Sequence, residues 1–452
     1  MNRTPAPPVS PHSVSQASIL DTLAVLKDVV LPTLGKGPLI RRRKVVTVAE
    51  RVGLDAKAVK RMQALRDKYG PGPLRLRIPF RSQAVILSAE DAGMVLEGSP
   101  EPFAAASLEK RSALNHFQPD SVLASHGHDR TIRRRLNEDT LDTGCPVHSM
   151  ADHFAAVIDE EMDRICQAAL ASGTLDWDSF FIGWYRMVRR LVLGDAARDD
   201  SELTDLLEKL RYDANLAFLK RKDRKTREQF LTHLRRYVDA ADPNSLAGRM
   251  AKACTDPNQQ PHHQLPQYLF AFDPGAMATF RTLALLSAHP EVEKEVRHEL
   301  AEAGNAPAPR LDLVRACYLD ALRLWPTTPA ILRETTRDVA WAKGQLEAAT
   351  QILIYTPFHH RDDQTLPQAH RFDPSLWKNG NARADLGLYP FSDGPVVCPA
   401  VNFVPMVTSL ALRSLLSRVR LNLNQPERVT PGNLPATLDN YTLSFTTERL
   451  TS

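Results

Sequence analysis

The chain has 452 residues, 43% of them hydrophobic, which is enough to bury a large core. Its 57 basic and 53 acidic side chains give a formal net charge of +4, a mild excess that does not favour a nucleic-acid-binding protein. The five cysteines show no metal-ligand spacing, and so sparse and odd a set argues against a disulfide framework and favours a reducing compartment.

The N-terminal region predicts neither a membrane anchor nor a signal peptide. Residues 1–16 are rich in proline and serine, which predicts a disordered tail before one domain at 17–452. The apolar segment 19–34 is interrupted by charges and lacks a basic leader, which favours an amphipathic surface helix. Because no stretch approaches ~18 uninterrupted apolar residues, we expect a cytoplasmic protein without a transmembrane anchor.

Apolar spacing and turn residues predict a mainly α protein with a smaller β region (α+β), folded as a single domain. The predicted helices are 17–31, 54–69, 88–97, 120–141, 149–172, 176–193, 200–221, 226–241, 266–287, 291–303, 312–324 and 401–418. Alternating residues predict that Leu74–Ile78 pairs with Gln83–Leu87, that Gln351–Tyr355 is a further strand, and that short strands close the chain.

A proline- and glycine-rich loop before the last helix carries Cys398, preceded by Phe391 and Gly394. The positive end of the following helix favours thiolate over thiol. A buried thiolate with no basic neighbour in sequence needs a metal to balance its charge, and haem iron is a candidate. The alternative is an ordinary buried free cysteine, and the loop alone does not separate the two.

Asp320 and Arg323 stand three residues apart on one helix face. That spacing is typical of a surface ion pair. Their apolar neighbours, Leu322, Leu324 and Trp325, predict instead a partly buried pair that fixes geometry rather than adding much stability.

Asp273, Pro274 and Gly275 interrupt the strong helical pattern at 266–287. Proline inside a helix removes one backbone hydrogen bond and costs ~3 kcal/mol. One interpretation is a plain break between two shorter helices. The other is an acid held at a distortion beside a bound ligand.

Arg130 and Arg134 stand one helical turn apart within a basic run. Basic runs, including those at 41–44 and 220–225, are usually solvated faces. Arginine is also the residue that clamps carboxylates bidentately, and haem carries two propionates.

These features, together with the segments 360–362 and 372–377, occur in a fixed order along the chain. As a set they resemble the cytochrome P450 family of haem-thiolate enzymes. The resemblance runs from about residue 54 onward. The most specific part is Phe391-x-x-Gly394-x-x-x-Cys398. The resemblance implies the cytochrome P450 fold and a divergent member of the soluble bacterial type. It implies that Cys398 is the proximal iron ligand of haem b and that Phe391 and Gly394 shape the loop beneath the haem.

The resemblance also assigns roles to residues outside the loop. It implies propionate contacts from Arg130, Arg134 and Arg333, and a structural pair formed by Asp320 and Arg323.

It places the helix at 266–287 across the distal haem face, with Ala271 and Asp273 at the family's small and acidic positions. Ala330 and Ile331 are implied to lie near the haem, in the substrate pocket.

Several residues depart from the family pattern. Pro274, followed by Gly275, stands where the family has its oxygen-handling threonine, so Asp273, water and the backbone opened by the proline would have to relay protons. Val396 replaces an arginine that contacts a propionate, and Leu376 replaces the arginine that completes a triad with the acid–arginine pair.

The resemblance implies a monooxygenase that hydroxylates a small apolar molecule with electrons from a separate ferredoxin- or flavodoxin-type partner. The missing hydroxyl keeps open a peroxide-dependent or redox-neutral enzyme, such as a peroxygenase, isomerase or dehydratase. A third hypothesis is a non-catalytic haem-binding scaffold.

Overall fold

A computed structural model describes residues 14–342, 344–378, 380, 383–432 and 434–450. Helices dominate these residues and the strands form small sheets, which confirms the mainly α fold class. The α-helices are α1 Ile19–Val25, α2 Leu31–Lys36, α3 Arg43–Val52, α4 Leu54–Tyr69, α5 Ala89–Glu97, α6 Leu108–Leu114, α7 Gly127–Leu141, α8 Ala151–Ser172, α9 Trp177–Leu193, α10 Ser201–Ala214, α11 Arg224–Ala240, α12 Leu246–Ala253, α13 Pro261–Ala288, α14 Pro290–Ala303, α15 Asp312–Leu324, α16 Thr356–Arg361 and α17 Phe403–Leu416.

The strands pair into one mixed sheet and two smaller antiparallel ones. They are β1 Leu74–Leu76, β2 Gln83–Val85, β3 Phe103–Ala104, β4 Thr174–Asp176, β5 Ala330–Thr335, β6 Val339–Trp341, β7 Gly344–Leu346, β8 Gln351–Tyr355, β9 Val419–Leu423 and β10 Ser444–Arg449. Their orders are β1-β2-β8-β5-β3, β4-β10-β9 and β6-β7. The predicted pairing of the first two strands is confirmed, with Leu74 opposite Val85.

Local signals predicted many helix bounds well. α4 and α15 match their predicted ranges, and Ser88 caps α5 by accepting a hydrogen bond from Asp91 N at 3.1 Å. The helix predicted to start at residue 120 instead begins with a 3₁₀ turn at Val122–Ala124, and α7 follows. None of the described helices is long and apolar enough to cross a membrane.

The end of the predicted tail is packed rather than disordered. Val14 is buried, and Arg75 N donates to Ser15 O at 2.9 Å, so residues 14–16 join the edge of β1. The partner strand lies far away in sequence, so composition alone did not reveal this contact. The rest of the predicted tail, residues 1–13, lies outside the described residues.

The long helix α13 runs unbroken through Pro266 and Pro274. The interpretation of a plain break at Pro274 is therefore wrong. The helix packs against α9, α11, α15 and α17 and is buried along most of its length. Burial of so much apolar surface outweighs the roughly 3 kcal/mol cost of an internal proline.

The Asp320–Arg323 pair is more deeply buried than predicted, since both side chains are 0% exposed. Arg323 Nε donates to Asp320 Oδ1 at 2.5 Å. The backbone N–H of Asp373 and the indole N–H of Trp377 also donate to the carboxylate, at 2.7 and 3.0 Å. Trp377 thus supplies, one residue later, the hydrogen bond for which Leu376 has no donor.

Substituting Asp320 tests how much this pair stabilises the fold. Asp320→Ala leaves Arg323 charged and buried without a carboxylate, so we expect the free energy of unfolding to fall by about 3–5 kcal/mol. The matched control is Asp312→Ala on the same helix, which breaks an exposed pair with Arg310 and should cost less than about 1 kcal/mol. Urea unfolding of both variants measures the difference, and equal losses would contradict the assignment.

Candidate functional site

The Cys398 loop is closed by its own backbone. Cys398 N donates to Phe391 O at 2.9 Å, and a 3₁₀ turn at Gly394–Val396 lies between them. Asp393 caps this turn by accepting from Gly394 N at 2.9 Å. The loop therefore holds a partly buried cysteine just ahead of α17.

Gly394 is required by both conformation and space. Its φ of +66° lies in the left-handed region, and a Cβ atom there would sit 2.4 Å from Leu96 O. Because that neighbour is backbone at the end of α5, it has little freedom to move. The glycine of the predicted motif thus lets the loop lie directly on α5.

Two of the three arginines predicted from sequence donate hydrogen bonds to this loop, and they come from two elements. Arg134, on α7, donates from Nη1 to Val397 O at 2.6 Å. Arg333, on β5, donates from Nη2 to Ser392 Oγ at 3.0 Å. Arg130 donates not to the loop but to Val122 O, at 3.0 Å. Burial lowers the pKa of both Arg333 and Arg130 to about 10, with Arg130 acting in the same direction on Arg333 and Arg134 on Arg130.

Lys110 on α6 is a fourth cation of this group, and sequence reasoning missed it. Burial lowers its pKa to about 7, and the charges of Arg333 and Arg130 act in the same direction. Lys110 stands in a short run of mixed charges at 108–111, which is typical of a solvated face. No feature of the neighbouring sequence indicated that Lys110 would join the arginines.

These four residues, Lys110, Arg130, Arg134 and Arg333, are named the cation cluster. Among the described residues, one carboxylate pairs with them, that of Glu138 with Arg134 Nε at 2.6 Å. Arg333 is buried and the other three are partly exposed, and holding several like charges together away from bulk water without counter-charge is costly. The cluster beside a cysteine loop therefore fits a ligand with two carboxylates and a metal, and the residues present fit a haem with its two propionates.

The electrostatics of Cys398 differ from the sequence expectation. Burial raises the pKa of its thiol, and this exceeds the opposing effects of the Ala400 N–H, Arg134 and Lys110. The helix end is thus not sufficient to favour thiolate. Two basic residues that are distant in sequence, Arg134 and Lys110, lie near the thiol in the fold. A metal at the sulfur would supply the missing stabilisation.

One face of α13 borders open space. Between residues 264 and 286 the partly exposed positions are Gln267, Phe270, Ala271 and Pro274, and all others are buried. Their successive spacings of three, one and three residues place them on one side of the helix. This stripe, named the α13 face, carries no hydroxyl group.

Asp273 does not lie on the α13 face. Its Oδ2 is 2.7 Å from Nη2 of Arg211 on α10, and the hydroxyl of Tyr185 on α9 donates to its Oδ1. Both members of the ion pair are buried. Gly275 is also off the face and lies against Trp184, so of the three residues predicted to be catalytic only Pro274 borders the open space.

Two of the predicted pocket residues, Ala330 and Ile331, lie on opposite faces of β5. Ile331 shares the face of Arg333 and packs in a core with Phe103, whereas Ala330 is partly exposed on the other side. Both are in the strand that delivers Arg333 to the cation cluster.

A comparison with known families matches residues 267–441 to the family described as Cytochrome P450. The matched range contains most of α13, the buried Asp320–Arg323 pair and the Cys398 loop. It does not contain α6 or α7, which carry three of the four members of the cation cluster.

About a third of the chain is similar to curated proteins. It is 33% identical over 159 residues to cyclooctat-9-en-7-ol 5-monooxygenase from Streptomyces melanosporofaciens, covering 32% of this chain and 35% of that protein. It is 31% identical over 163 residues to Cytochrome P450 4V2 from Homo sapiens, covering 34% of this chain and 31% of that protein. The similar segment thus spans about a third of these relatives.

The whole fold is similar to a solved structure, described as retinoic acid bound cyanobacterial CYP120A1. The TM-score is 0.70 at 17% sequence identity, over 86% of this chain and 94% of that one. This likeness extends the shared fold to the helices that the sequence comparisons do not reach.

The lowered pKa of Lys110 predicts a pH dependence in the haem-free protein. Its pKa is about 7 in the folded chain, whereas an unfolded lysine titrates near about 10.4. Between these values the unfolded chain binds more protons, so the free energy of unfolding should rise with pH from about 7 to about 10. Urea unfolding across this range should show the rise in wild type and lose it in Lys110→Met.

The control variant is Lys222→Met, which removes an exposed lysine and should keep the wild-type pH dependence. A haem bound at this site would suppress the rise in wild type, because propionates held by the cation cluster would keep Lys110 protonated. Identical slopes in wild type and Lys110→Met would show that Lys110 is not buried among cations.

Proposed function

We propose that this chain, which belongs to the cytochrome P450 family, is a haem-thiolate monooxygenase that hydroxylates a small apolar molecule. The observation that carries the proposal is the cation cluster, whose charge is largely unbalanced, beside the loop of Cys398. An ordinary buried cysteine does not require a group of cations beside it. A haem would be bound by the cysteine through its iron and by the cations through its propionates.

In this proposal Cys398 is the proximal ligand of the iron, and the cation cluster holds the two propionates. Val396 offers no cation where many relatives are expected to have an arginine. Lys110 supports the proposal because it brings a positive charge to the same group from a different element. It would restore the contact that the loop itself lacks.

A bound haem with a thiolate ligand supplies the activation of dioxygen and its insertion into an organic substrate. The chain's own residues would shape the reaction space. Phe270, Ala271 and Pro274 present an apolar surface on the α13 face, which would orient an apolar substrate and limit the entry of water.

Proton supply would differ from the family pattern. Proline has no N–H, so the carbonyl of Phe270 lacks its usual helical donor and is available to accept a hydrogen bond from water. We propose that this carbonyl holds a water on the α13 face. Asp273 would join the relay only if Arg211 and Tyr185 release it, since both now bind its carboxylate.

Electrons would come from a separate ferredoxin- or flavodoxin-type protein. A groove of about 410 Å³ beside the Cys398 loop supports docking there, since Asn402 lies in its wall with Arg310, Arg315 and Lys378. Two acidic residues also line it, so the net charge is mildly positive. An acidic partner surface would be steered to this side.

A peroxide-dependent reaction is the second candidate, and a specific observation favours it. The α13 face has no hydroxyl, and the nearest acid is held in an ion pair. A reaction driven by hydrogen peroxide brings its own protons and both oxygen atoms, so it depends less on a proton relay. Comparing turnover with peroxide and with a reductase system separates the two candidates.

Replacing Cys398 tests the iron ligand. We expect Cys398→Ser to abolish the red-shifted absorption band of the reduced carbon monoxide complex, since a hydroxyl does not provide the same electron donation to iron. Cys254→Ser is the control, because Cys254 is equally partly exposed but lies at the end of α12. Wild-type protein that binds haem but never shows the band would refute the proposal.

Pro274→Thr tests the missing hydroxyl. With a surrogate redox partner, we expect this variant to release several-fold less hydrogen peroxide per reducing equivalent consumed, because a hydroxyl on the α13 face can donate a proton. Pro266→Thr restores an N–H to the same helix but adds its hydroxyl off that face, so it should not change the ratio. An equal effect of both variants would argue against the assignment of Pro274.

A further inference from the structure

A second polar cavity lies between the N-terminal segment, the C-terminal half of α13 and the loop at 436–441. Its volume is about 50 Å³, which is room for a few water-sized atoms or one small charged group. Four charged side chains line it: Lys36, Arg41, Asp55 and Arg281. None of them belongs to the cation cluster.

The lining of this cavity carries an excess of positive charge. Lys36 pairs with Asp55, which leaves Arg41 and Arg281 without a carboxylate partner among the described residues. Arg41 donates to Gly37 O at 3.0 Å and to Thr327 O at 2.6 Å. These acceptors are neutral carbonyls, and a guanidinium has five N–H donors.

Arg281 is held in the same way. It donates from Nη2 to Leu438 O at 2.8 Å and from Nη1 to Trp325 O at 3.3 Å, again neutral carbonyls. Burial lowers its pKa to about 10, with Arg41 acting in the same direction. Asp439 lies nearby, but its carboxylate is occupied by the hydroxyl of Thr47 and by a backbone N–H.

Asn440 adds an independent sign of a missing polar partner. It lines the cavity and is 0% exposed, and neither its amide nitrogen nor its amide oxygen has a hydrogen-bond partner. Buried polar groups are nearly always paired. A ligand that accepts hydrogen bonds within this cavity would pair with the amide nitrogen of Asn440 and balance the charge of the guanidinia.

The position of the cavity links it to the reaction space. Arg281 follows Pro274 by seven residues, so it lies on the same side of α13 about 10 Å further along the axis. Met277, between them, and Pro329, next to β5, also line the cavity. The cavity therefore lies on the same side of the helix as the α13 face, one to two turns further along.

We propose that this cavity, the anion pocket, binds the carboxylate of the substrate, so that the substrate is an apolar molecule with a carboxylate at one end. The inference rests on the proposed function and names its substrate class. Two guanidinia suit the planar, bidentate recognition of a carboxylate. Holding that end would place a carbon further along the chain against the α13 face.

The first experiment titrates the holoenzyme with octanoate, dodecanoate and hexadecanoate, and with the primary alcohol and methyl ester of each. The readout is the low-spin to high-spin change in haem absorption. We expect at least one carboxylate to bind tenfold or more tightly than its alcohol and ester. Alcohols that bind as tightly as acids at every length would overturn the inference.

The second experiment uses Asn440→Asp, which keeps the side-chain size and the backbone contacts of Arg41 and Arg281. A carboxylate at this position repels the substrate's carboxylate or occupies the guanidinia itself. We expect the affinity for the acid to fall about tenfold while that for the alcohol is unchanged. Equal weakening of both would show that the cavity is only structural.

Arg281→Gln should give the same selective loss, and Arg297→Gln, a surface pair with Glu293 on α14, is its control. We expect acetate to compete only weakly with the long-chain acid, and this result would support the substrate as the source of the carboxylate. Acetate that binds as tightly would overturn it in favour of a free anion.

A readout without haem separates this inference from the proposed function. Thermal stabilisation by dodecanoate beyond that by dodecanol, lost in Asn440→Asp, supports the anion pocket even if the carbon monoxide band is absent. The band without any preference for acids overturns the pocket and leaves the proposed function standing.

Discussion

The buried pair of Asp320 and Arg323 is the constraint on which the arrangement of the site depends. Arg323 donates to the carbonyls of Ala369 and Arg371 and, at 3.5 Å, to that of His360. The ring of His360 accepts in turn from Tyr389 N at 2.8 Å, where the cysteine loop begins. Burial lowers the pKa of His360 to about 3, which keeps the ring neutral and able to accept. One ion pair thus orients the segment that leads into the loop.

Charge balance distinguishes structural pairs from binding sites in this protein. Asp320 with Arg323 and Asp273 with Arg211 are buried and matched, so each is complete without a ligand. The cation cluster and the anion pocket are partly or wholly enclosed, and each carries more cations than carboxylates. Because an uncompensated buried charge is costly, such places are retained where something else supplies the counter-charge. In the proposals above, the cation cluster would bind the haem and the anion pocket would bind the carboxylate of the substrate.

At Pro274, tertiary packing overrides the local tendency of proline to break a helix. A proline inside a helix predicts a break, but α13 continues because neighbouring helices cover almost all of it. What the proline changes is local chemistry: it removes a hydroxyl from the α13 face and frees the carbonyl of Phe270. The acid beside it, Asp273, points away from that face into its ion pair. The helix therefore runs unbroken, while its proton-handling groups differ from those that the resemblance in sequence implies.

The sequence by itself determined the features that depend on neighbours within a few residues: the bounds of α4 and α15, the loop geometry that requires Gly394, and the i to i+3 spacing of the buried ion pair. Tertiary structure alone decided which distant groups meet. Lys110 joined the cation cluster, Trp377 completed the pair at Asp320, and Arg41, in a run interpreted as solvated, lines the anion pocket. Helix and turn preferences act over one or two turns, whereas burial and charge pairing are set by contacts between residues hundreds of positions apart.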